Sequence, residues 1–314
     1  MTELFAEILD GALAPEAIKT ALVEMADRGE TADEIVAAAR AMRARMITVP
    51  APDNAIDVCG TGGDGSHSLN ISTATALVVA ACAIPMAKHG NRAAPSKSGA
   101  ADTLEALGLD LAKAADHGAK NLREIGIAFF FAPNHHPALG PLAPIRKDIG
   151  RRTIFNLLGP LCNPARVRRQ LIGVASPDLV ETYAKAAAQL GYDKAMIVSG
   201  EEGLDELSIS GPSKVALVDG DTITISRITP EDVGLERHPA ETIKGGDAEY
   251  NAAALRQLLL GEKSAYRDAV LLNSAAALMV AGEVDNWEAG VEEATEALDK
   301  GLAKALLDCW IANQ

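Results

Sequence analysis

A glycine-rich segment at residues 57–73, DVCGTGGDGSHSLNIST, contains the residue types that bind anions. Glycine adopts positive φ angles and has no side chain, so backbone N–H groups in such a loop can approach phosphate oxygens closely. A helix is expected to begin near Asn70, where free N–H groups favour an anion and the Ser72 and Thr73 hydroxyls add donors. The segment predicts a diphosphate site at the loop and a second phosphate site at the helix start; the alternative is a tight strand–helix turn.

The same loop satisfies the dinucleotide pattern G-x-G-x-x-G through Gly60, Gly62 and Gly65. That pattern also requires an acid about 20 residues later, which holds the ribose of a nicotinamide or flavin cofactor. No Asp or Glu occurs between Asp64 and Asp102. The sequence therefore disfavours a dehydrogenase, which stays only as a third alternative.

Basic and polar side chains follow the next expected strand, in KHGNRAAPSKSG at residues 88–99. Lys88 closes that strand, so its ammonium group should project at the carboxyl edge of the sheet, where α/β proteins bind ligands. His89 and Asn91 can donate hydrogen bonds to a second substrate. Three further side chains can hold anionic oxygens, namely Arg92, Ser96 and Lys97.

Two adjacent carboxylates, Asp205 and Glu206 in EEGLDELSIS, are candidate metal ligands. Neighbouring residues on a strand point to opposite faces, so both can reach one site only from a turn, which Gly203 permits. Mg²⁺ binds through few carboxylates together with substrate phosphates. Beside a diphosphate site the pair predicts Mg²⁺ as cofactor; alone it would be a solvated turn, which is the interpretation kept for Glu201 and Glu202.

A second basic stretch, residues 129–174, holds seven bases and one acid, Asp148. Arg146 is the candidate for a substrate carboxylate, because a guanidinium group matches a carboxylate with two parallel hydrogen bonds. The alternative is a surface salt bridge with Asp148 or a neighbour. His135 and His136 have no partner at metal-ligand spacing, so a structural role is preferred for both.

The overall charge limits the partners of the chain. Its 314 residues include 29 Lys and Arg against 43 Asp and Glu, a net charge of −14, and 48% are hydrophobic. This composition is globular and disfavours binding to nucleic acid or to an anionic membrane. A locally basic site within an acidic protein favours a small, highly anionic ligand.

Targeting and redox signals are absent from the sequence. The start, MTELFAEILD, carries acids where a secretory signal needs bases, and the longest apolar run, residues 76–87, is interrupted by Pro85. The four cysteines form no CxxC pair and have no zinc spacing. We expect a soluble, reduced protein in the cytoplasm.

The elements that position these residues follow an α/β pattern. Apolar residues at helical spacing predict helices over residues 1–46, including a capping box at Thr31 and Glu34. A proline-rich stretch at residues 49–55 is typical of a hinge. Short strands then alternate with helices up to a hairpin in VALVDGDTITISRI, and helices return from about Asp247.

This order of elements predicts two domains. A small helical domain at residues 1–48, joined by later helices near 140–165, is hinged to a large α/β domain at 54–314. The large domain should contain a mainly parallel sheet covered on both faces. The apolar stripe in residues 3–46 is interpreted either as a dimer face or as the core of the small domain.

Several motifs, in this order and spacing, resemble those of the anthranilate phosphoribosyltransferase family: GTGGDG, NIST, KHGNR, SKSG and ADTLEALG. RRTIFNLLGPLCNPA and GLDE extend the resemblance over most of the chain. It implies a fold of the nucleoside phosphorylase and phosphoribosyltransferase II type, usually a homodimer. It also implies transfer of ribose 5-phosphate from phosphoribosyl diphosphate (PRPP) to the amino group of anthranilate in tryptophan biosynthesis.

The resemblance implies roles for individual residues. Those that would face PRPP are Gly60, Gly63, Asp64, Ser68, Asn70, Ile71, Ser72, Thr73, Lys88, His89, Gly90, Asn91, Arg92, Ser96 and Ala100. Those that would face anthranilate are Gly60, His89, Asn91, Pro133, Arg146 and Pro160. The magnesium ligands would be Ser72, Asp205 and Glu206.

Two positions depart from the family. It usually has serines on the diphosphate side where this chain has Pro95 and Ala100. Each lost hydroxyl would weaken PRPP binding by ~1 kcal/mol if its hydrogen bond were typical. Pro95 also lacks a backbone N–H donor.

The ligand set predicts catalysis by electrostatics and positioning. Mg²⁺, Lys88 and the loop would neutralise the leaving diphosphate, and a neutral aromatic amine needs no strong base before it attacks. No covalent nucleophile is nominated, because Ser72 and Cys59 have no adjacent base in the sequence. The alternatives are a pyrimidine nucleoside phosphorylase of similar fold and a non-enzymatic relative that binds nucleic acid through a basic groove.

Overall fold

The computed structural model describes residues 1–92 and 97–313 of the chain. Three helices come first: α1 (Thr2–Leu9), α2 (Pro15–Arg28) and α3 (Ala32–Arg43). The predicted capping box at the start of α3 is confirmed, since the Thr31 hydroxyl accepts from the Glu34 N–H and the Glu34 carboxylate accepts from the Thr31 N–H.

The described residues form a seven-stranded sheet in the order β3-β2-β1-β4-β5-β6-β7. Its strands are β1 (Ile56–Gly60), β2 (Met86–Gly90), β3 (Ile127–Phe131), β4 (Arg169–Gly173), β5 (Lys194–Gly200), β6 (Ser213–Asp219) and β7 (Thr222–Ile228). The first five strands are parallel, and β6 and β7 continue the sheet as the predicted antiparallel hairpin. The predicted α/β class with a mainly parallel sheet is confirmed.

Helices cover both faces of this sheet. After α3 they are α4 (Ile71–Ala81), α5 (Ala100–Leu107), α6 (Leu111–Glu124), α7 (Ala132–His135), α8 (Ala143–Ile149), α9 (Leu179–Gln189), α10 (Ala248–Leu259), α11 (Ala265–Ala281), α12 (Trp287–Asp299) and α13 (Leu302–Ala312). Short 3₁₀ turns occupy Pro137–Leu139, Ile154–Asn156, Pro160–Cys162, Pro230–Val233 and Ala240–Ile243. Among the described residues, no helix is both long enough and apolar enough to cross a bilayer.

The apolar stripe of α1–α3 is part of an intrachain core. Phe5, Ile8 and Leu22 are fully buried, in one cluster with residues from the 142–162 segment, β4, β5 and α9. The other face of the sheet packs against α4, α5 and the carboxyl-terminal helices. The stripe therefore serves as core, and the division into two domains near residue 50 stays a prediction.

Candidate active site

A crevice opens at the carboxyl ends of the parallel strands, where the strand order reverses between β1 and β4. Open α/β sheets bind their ligands at this point, because neighbouring connections leave the sheet towards opposite faces there. A cavity of about 410 Å³ occupies the crevice. Its wall includes most of the predicted site residues: Gly60, Gly63, Asp64, Ser68, Asn70, Ile71, Ser72, Lys88, His89, Gly90, Asn91, Arg92, Ala100, Arg146, Asp205 and Glu206.

The glycine loop follows β1 directly. Gly62, Gly63 and Gly65 have φ angles of 68°, 73° and 73°, a region that glycine adopts without steric cost. The Gly62 N–H donates to Asp205 Oδ2 at 2.6 Å, and the Asp64 carboxylate accepts from the Ser66 N–H at 3.1 Å. The loop thus turns backbone donors towards the crevice, as an anion site requires.

The start of α4 forms the second anion-binding feature. The Ser72 N–H donates to Glu206 Oε1 at 3.1 Å, so a carboxylate already lies at this helix N-terminus. The Asn70 Oδ1 atom accepts from Thr103 Oγ1 at 2.5 Å and from Asn251 Nδ2 at 2.9 Å. These bonds leave the Asn70 Nδ2 donor available to a ligand.

Lys88 and His89 lie at the end of β2 and are almost fully buried. Lys88 Nζ donates to the Val58 carbonyl at 2.5 Å and lies 3.4 Å from Ser72 Oγ, so it bridges β1 and the start of α4. The His89 N–H donates at 3.1 Å to the buried carboxylate of Asp57. Burial raises the pKa of Asp57 to about 6, although the positive charge of Lys88 acts to lower it.

Two buried imidazoles meet on the cavity wall. His89 Nδ1 lies 3.0 Å from the Gly159 carbonyl, so it carries the proton and donates. His89 Nε2 then accepts, and it lies 3.3 Å from Nε2 of His136. Burial lowers the pKa of His89 to about 3 and that of His136 to about 4, so both rings are neutral. His136, interpreted from the sequence as structural, lies on the cavity wall.

Asp205 and Glu206 approach the crevice from the turn between β5 and β6. Burial raises the pKa of Asp205 to about 7, with Asp64 as the next cause. Burial also raises the pKa of Glu206 to about 8, with Asp205 as the next cause. A cation between these carboxylates would relieve both the burial cost and the repulsion.

The donor set fits Mg²⁺. Two carboxylates and the Ser72 hydroxyl are hard oxygen ligands. No group of three or more His, Cys, Asp or Glu side chains in residues 1–92 and 97–313 is arranged to hold a metal. Mg²⁺ commonly binds through one or two carboxylates together with substrate phosphates and water.

Glycines at two strand ends allow this turn to approach the sheet. A Cβ atom on Gly60 would lie 2.3 Å from Asp205 Oδ2, and one on Gly173 would lie 1.6 Å from the Asp205 carbonyl oxygen. Both distances are far below van der Waals contact, so the close approach requires glycine at the ends of β1 and β4. The sequence analysis included Gly60 but missed Gly173.

Arg146 projects from α8 onto the cavity wall and is half-buried. Burial lowers the pKa of its guanidinium group. Its predicted alternative partner, Asp148, pairs with Lys19 instead. None of the ion pairs found in the described part of the chain involves Arg146, so its charge is available to a ligand.

Other predicted residues have competing partners or lie away from the cavity wall. The Arg92 guanidinium pairs with Asp102 and Glu105 on α5 and lies over the Phe131 ring. Thr73, Pro133 and Pro160 are outside the part of the cavity wall formed by described residues, although Ala132 and Gly159 beside the two prolines are on it. Ser96 and the departure at Pro95 fall outside the described residues.

The sequence analysis did not select several residues of the wall, including Met42, His136, Leu139, Phe155 and Asn156. They lie on α3, in the segment that follows α7, and in the 3₁₀ turn Ile154–Asn156. Apolar and amide side chains carry no chemical signal in a sequence, and only the RTIFN motif could have indicated the last two.

Comparison with known proteins identifies relatives of the whole chain. A family model described as "Glycosyl transferase family, a/b domain" matches residues 52–304. An anthranilate phosphoribosyltransferase from Novosphingobium aromaticivorans is 62% identical over 308 residues, which is 98% of this chain and 93% of that protein.

Solved structures similar to this chain belong to the same enzyme family. The crystal structure of anthranilate phosphoribosyltransferase from Thermus thermophilus is 41% identical with a TM-score of 0.93, covering 99% of this chain and 93% of that one. The enzyme from Saccharomyces cerevisiae in complex with PRPP and Mg is 29% identical with a TM-score of 0.88, covering 99% of this chain and 90% of that one.

Proposed function

The chain belongs to the anthranilate phosphoribosyltransferase family, and from that membership we propose how its crevice carries out the reaction. The enzyme transfers the 5-phosphoribosyl group of PRPP to the amino group of anthranilate, giving N-(5-phosphoribosyl)anthranilate and diphosphate, in tryptophan biosynthesis. The observation that supports our assignment of roles is the mixed wall of one cavity. It brings together the glycine loop, the start of α4, the acids Asp205 and Glu206, and Arg146, which has no ion-pair partner among the described residues.

PRPP binds at the glycine loop and the start of α4. Backbone N–H groups of the loop, the Ser72 N–H and Asn70 Nδ2 donate to phosphate oxygens. Lys88, buried beside Ser72 Oγ, contributes a positive charge. Its attraction to the leaving diphosphate grows as the diphosphate accumulates negative charge. The remaining PRPP contacts are the predicted residues that lie on the cavity wall, among them Asp64, Ser68 and Asn91.

Asp205, Glu206 and Ser72 hold Mg²⁺ together with PRPP, as the donor set and the PRPP–Mg complex of the yeast relative support. When bound, the ion neutralises charge on the diphosphate. The same two carboxylates accept from the Gly62 and Ser72 N–H groups, and they would give up part of this bonding to hold the ion.

Anthranilate binds at Arg146, which receives its carboxylate in a bidentate pair. The neutral imidazoles of His89 and His136, the Phe155 ring and Asn91 lie on the wall of the same cavity. The nitrogen of the aromatic amine forms its bond to C1 of the ribose as the C1–O bond to diphosphate breaks. The nitrogen then loses one proton, which leaves with the diphosphate or to solvent.

These residues act by positioning and by electrostatics. The attacking amine is already neutral, so the protein needs no base before attack. Burial raises the pKa of the Cys59 thiol to about 12, so this cysteine on the cavity wall is not a nucleophile. The ribosyl group passes directly between the two substrates.

We extend the proposal to the assembly and its location. The chain forms a homodimer through the surface of its helical unit, where Met1 and Ile47 are exposed. It acts in the cytoplasm. Its four cysteines lie in the described part of the chain and are unpaired, as expected in a reducing compartment.

The test is a fluorescence assay. Purified protein is mixed with PRPP, Mg²⁺ and anthranilate, and loss of anthranilate fluorescence is followed. We expect a loss that needs all three components and leaves diphosphate as product. Phosphorolysis of thymidine or uridine in place of this reaction would overturn the proposal.

A further inference from the structure

A buried asparagine of α11 holds the turn that carries the acidic pair. Asn273 is fully buried in the middle of this largely apolar helix. Its Oδ1 atom accepts from the Leu207 N–H at 3.0 Å, and its Nδ2 group donates to the Leu207 carbonyl at 3.1 Å. A third bond runs from Nδ2 to the Ala269 carbonyl at 2.9 Å. The amide therefore binds both backbone groups of Leu207, as a neighbouring strand would.

Leu207 needs such a partner because of its position. It follows Glu206 directly and lies in the irregular segment between β5 and β6, so no sheet ladder orders it. The Leu207 amide is buried, and a buried N–H or carbonyl without a partner costs about 1–3 kcal/mol. Asn273 satisfies both groups and so favours one position of this backbone.

The position of Leu207 sets the position of Glu206. Consecutive Cα atoms are about 3.8 Å apart, so a shift of one residue moves its neighbour. Glu206 Oε1 is held at 3.1 Å from the Ser72 N–H, at the predicted PRPP site. We propose that Asn273 is a positioning residue for Asp205 and Glu206, and that it thereby sets the affinity for Mg²⁺ with PRPP without touching either ligand. The inference rests on the proposed function.

Asn251 of α10 offers a comparison at the other side of the PRPP site. It is 2% exposed, its Oδ1 accepts from the Gly246 N–H at 2.8 Å, and its Nδ2 donates to Asn70 Oδ1. It contacts the start of α4 and not the acidic turn. Its loss should therefore affect PRPP more than Mg²⁺.

The experiment measures the Mg²⁺ concentration for half-maximal activity in Asn273→Ala, Asn251→Ala and Ser274→Ala. Partners of metal ligands commonly change metal affinity by about 10- to 100-fold, so we expect a rise of at least ~10-fold for Asn273→Ala, with the KM for anthranilate unchanged. Asn251→Ala should raise the KM for PRPP and change the Mg²⁺ requirement less. Ser274 is the matched control, since it is equally buried on α11 and its Oγ has no partner in the described residues.

A second readout uses the free protein. Deuterium exchange in peptides covering residues 203–208 should quicken in Asn273→Ala and not in Ser274→Ala, because the Leu207 N–H loses its acceptor. Asn273→Leu, which keeps a similar size and removes both the acceptor and the donor, takes over both measurements if the alanine variant does not fold. Unchanged exchange, or an equal loss for Mg²⁺ and anthranilate, would overturn the inference.

Calorimetry of PRPP with Mg²⁺ on the unmodified protein separates this inference from the proposed function. Absence of binding there contradicts the proposed function itself. Binding that is equally tight in the unmodified protein and in Asn273→Ala contradicts only the role of Asn273.

Discussion

At the scale of single residues, the cavity wall combines buried acids with a base that has no ion-pair partner. Asp205 and Glu206 are acids with raised pKa values, and Arg146 is a guanidinium group without an acid partner among the described residues. The neutral imidazoles of His89 and His136 lie on the same wall. In the proposed function the acids serve a metal diphosphate and Arg146 serves an aromatic carboxylate.

Arg146→Ala should weaken anthranilate far more than PRPP. A charged hydrogen-bonded pair contributes about 1.5–3 kcal/mol, so the KM for anthranilate should rise about 10- to 100-fold. Steady-state kinetics with each substrate varied in turn measures this. Lys147→Ala, on the exposed side of the same helix, is the control and should change neither constant. Equal losses for the two substrates would contradict the role of Arg146.

The neutral state of the two imidazoles predicts a flat pH profile. Burial lowers the pKa of His89 to about 3 and of His136 to about 4, so neither gains a proton as pH falls from about 8 to about 5.5. An ordinary histidine would charge below about pH 6.5. The KM for anthranilate, measured over this range at saturating PRPP and Mg²⁺, should stay constant within about twofold. Because Asp57 beside the His89 N–H has a pKa raised to about 6, an NMR titration of the imidazole nitrogens assigns any change that is seen. A midpoint near the ordinary histidine value in that titration would show that one ring titrates.

At the scale of elements, loops are held by elements distant in the chain. The glycine loop after β1 bonds to the turn after β5. α11 braces that turn, and α10 braces the start of α4. α6 contains Gly118 although glycine lowers helical propensity. The structure explains this glycine, because a Cβ atom there would lie 3.0 Å from the Phe130 ring on β3.

Gly173→Ala should displace the acidic turn. The new Cβ atom would lie 1.6 Å from the Asp205 carbonyl oxygen, a contact that only backbone movement can relieve. Because displacements of about 1 Å can cost 100-fold in rate, we expect a loss of kcat/KM of that order. Kinetics and calorimetry with PRPP measure the effect.

Gly211→Ala serves as the control for this variant. No atom lies within 4 Å of a Cβ atom placed there, so its kinetics should match those of the unmodified protein. If Gly173→Ala also kept full activity, the close approach of the turn would not matter for the site.

At the scale of the whole molecule, the acidic chain balances its charges at the crevice, where the described wall carries the bases Lys88, Arg92 and Arg146 and the acids Asp64, Asp205 and Glu206. Its net charge is −14, while no acid occurs from residue 65 to residue 101. The amino-terminal helices bury their apolar stripe against the sheet, so only their outer surface is available to a second copy.

Ile47→Asp should weaken the proposed homodimer. Ile47 is 54% exposed beside the helical unit, and a carboxylate there would be buried without a partner in the interface. Sedimentation equilibrium should give twice the 32.7 kDa chain mass for the unmodified protein and a shift towards the monomer for the variant. Ile225→Asp on the edge strand β7 is the control, at 44% exposure. A monomeric unmodified protein would contradict the proposal.

The sequence alone determined the strand–helix alternation, the hairpin, the capping box and the family, because each rests on local spacing. It also indicated much of the crevice wall, since the phosphate-binding glycines, KHGN and the adjacent acids are short, specific motifs. Only the tertiary structure decided which residues complete the site. His136, Gly173 and Asn273 act through contacts with residues distant in the chain, and such contacts leave no local pattern. The packing of α1–α3 was also decided there, because an apolar stripe fits a core and an interface equally well.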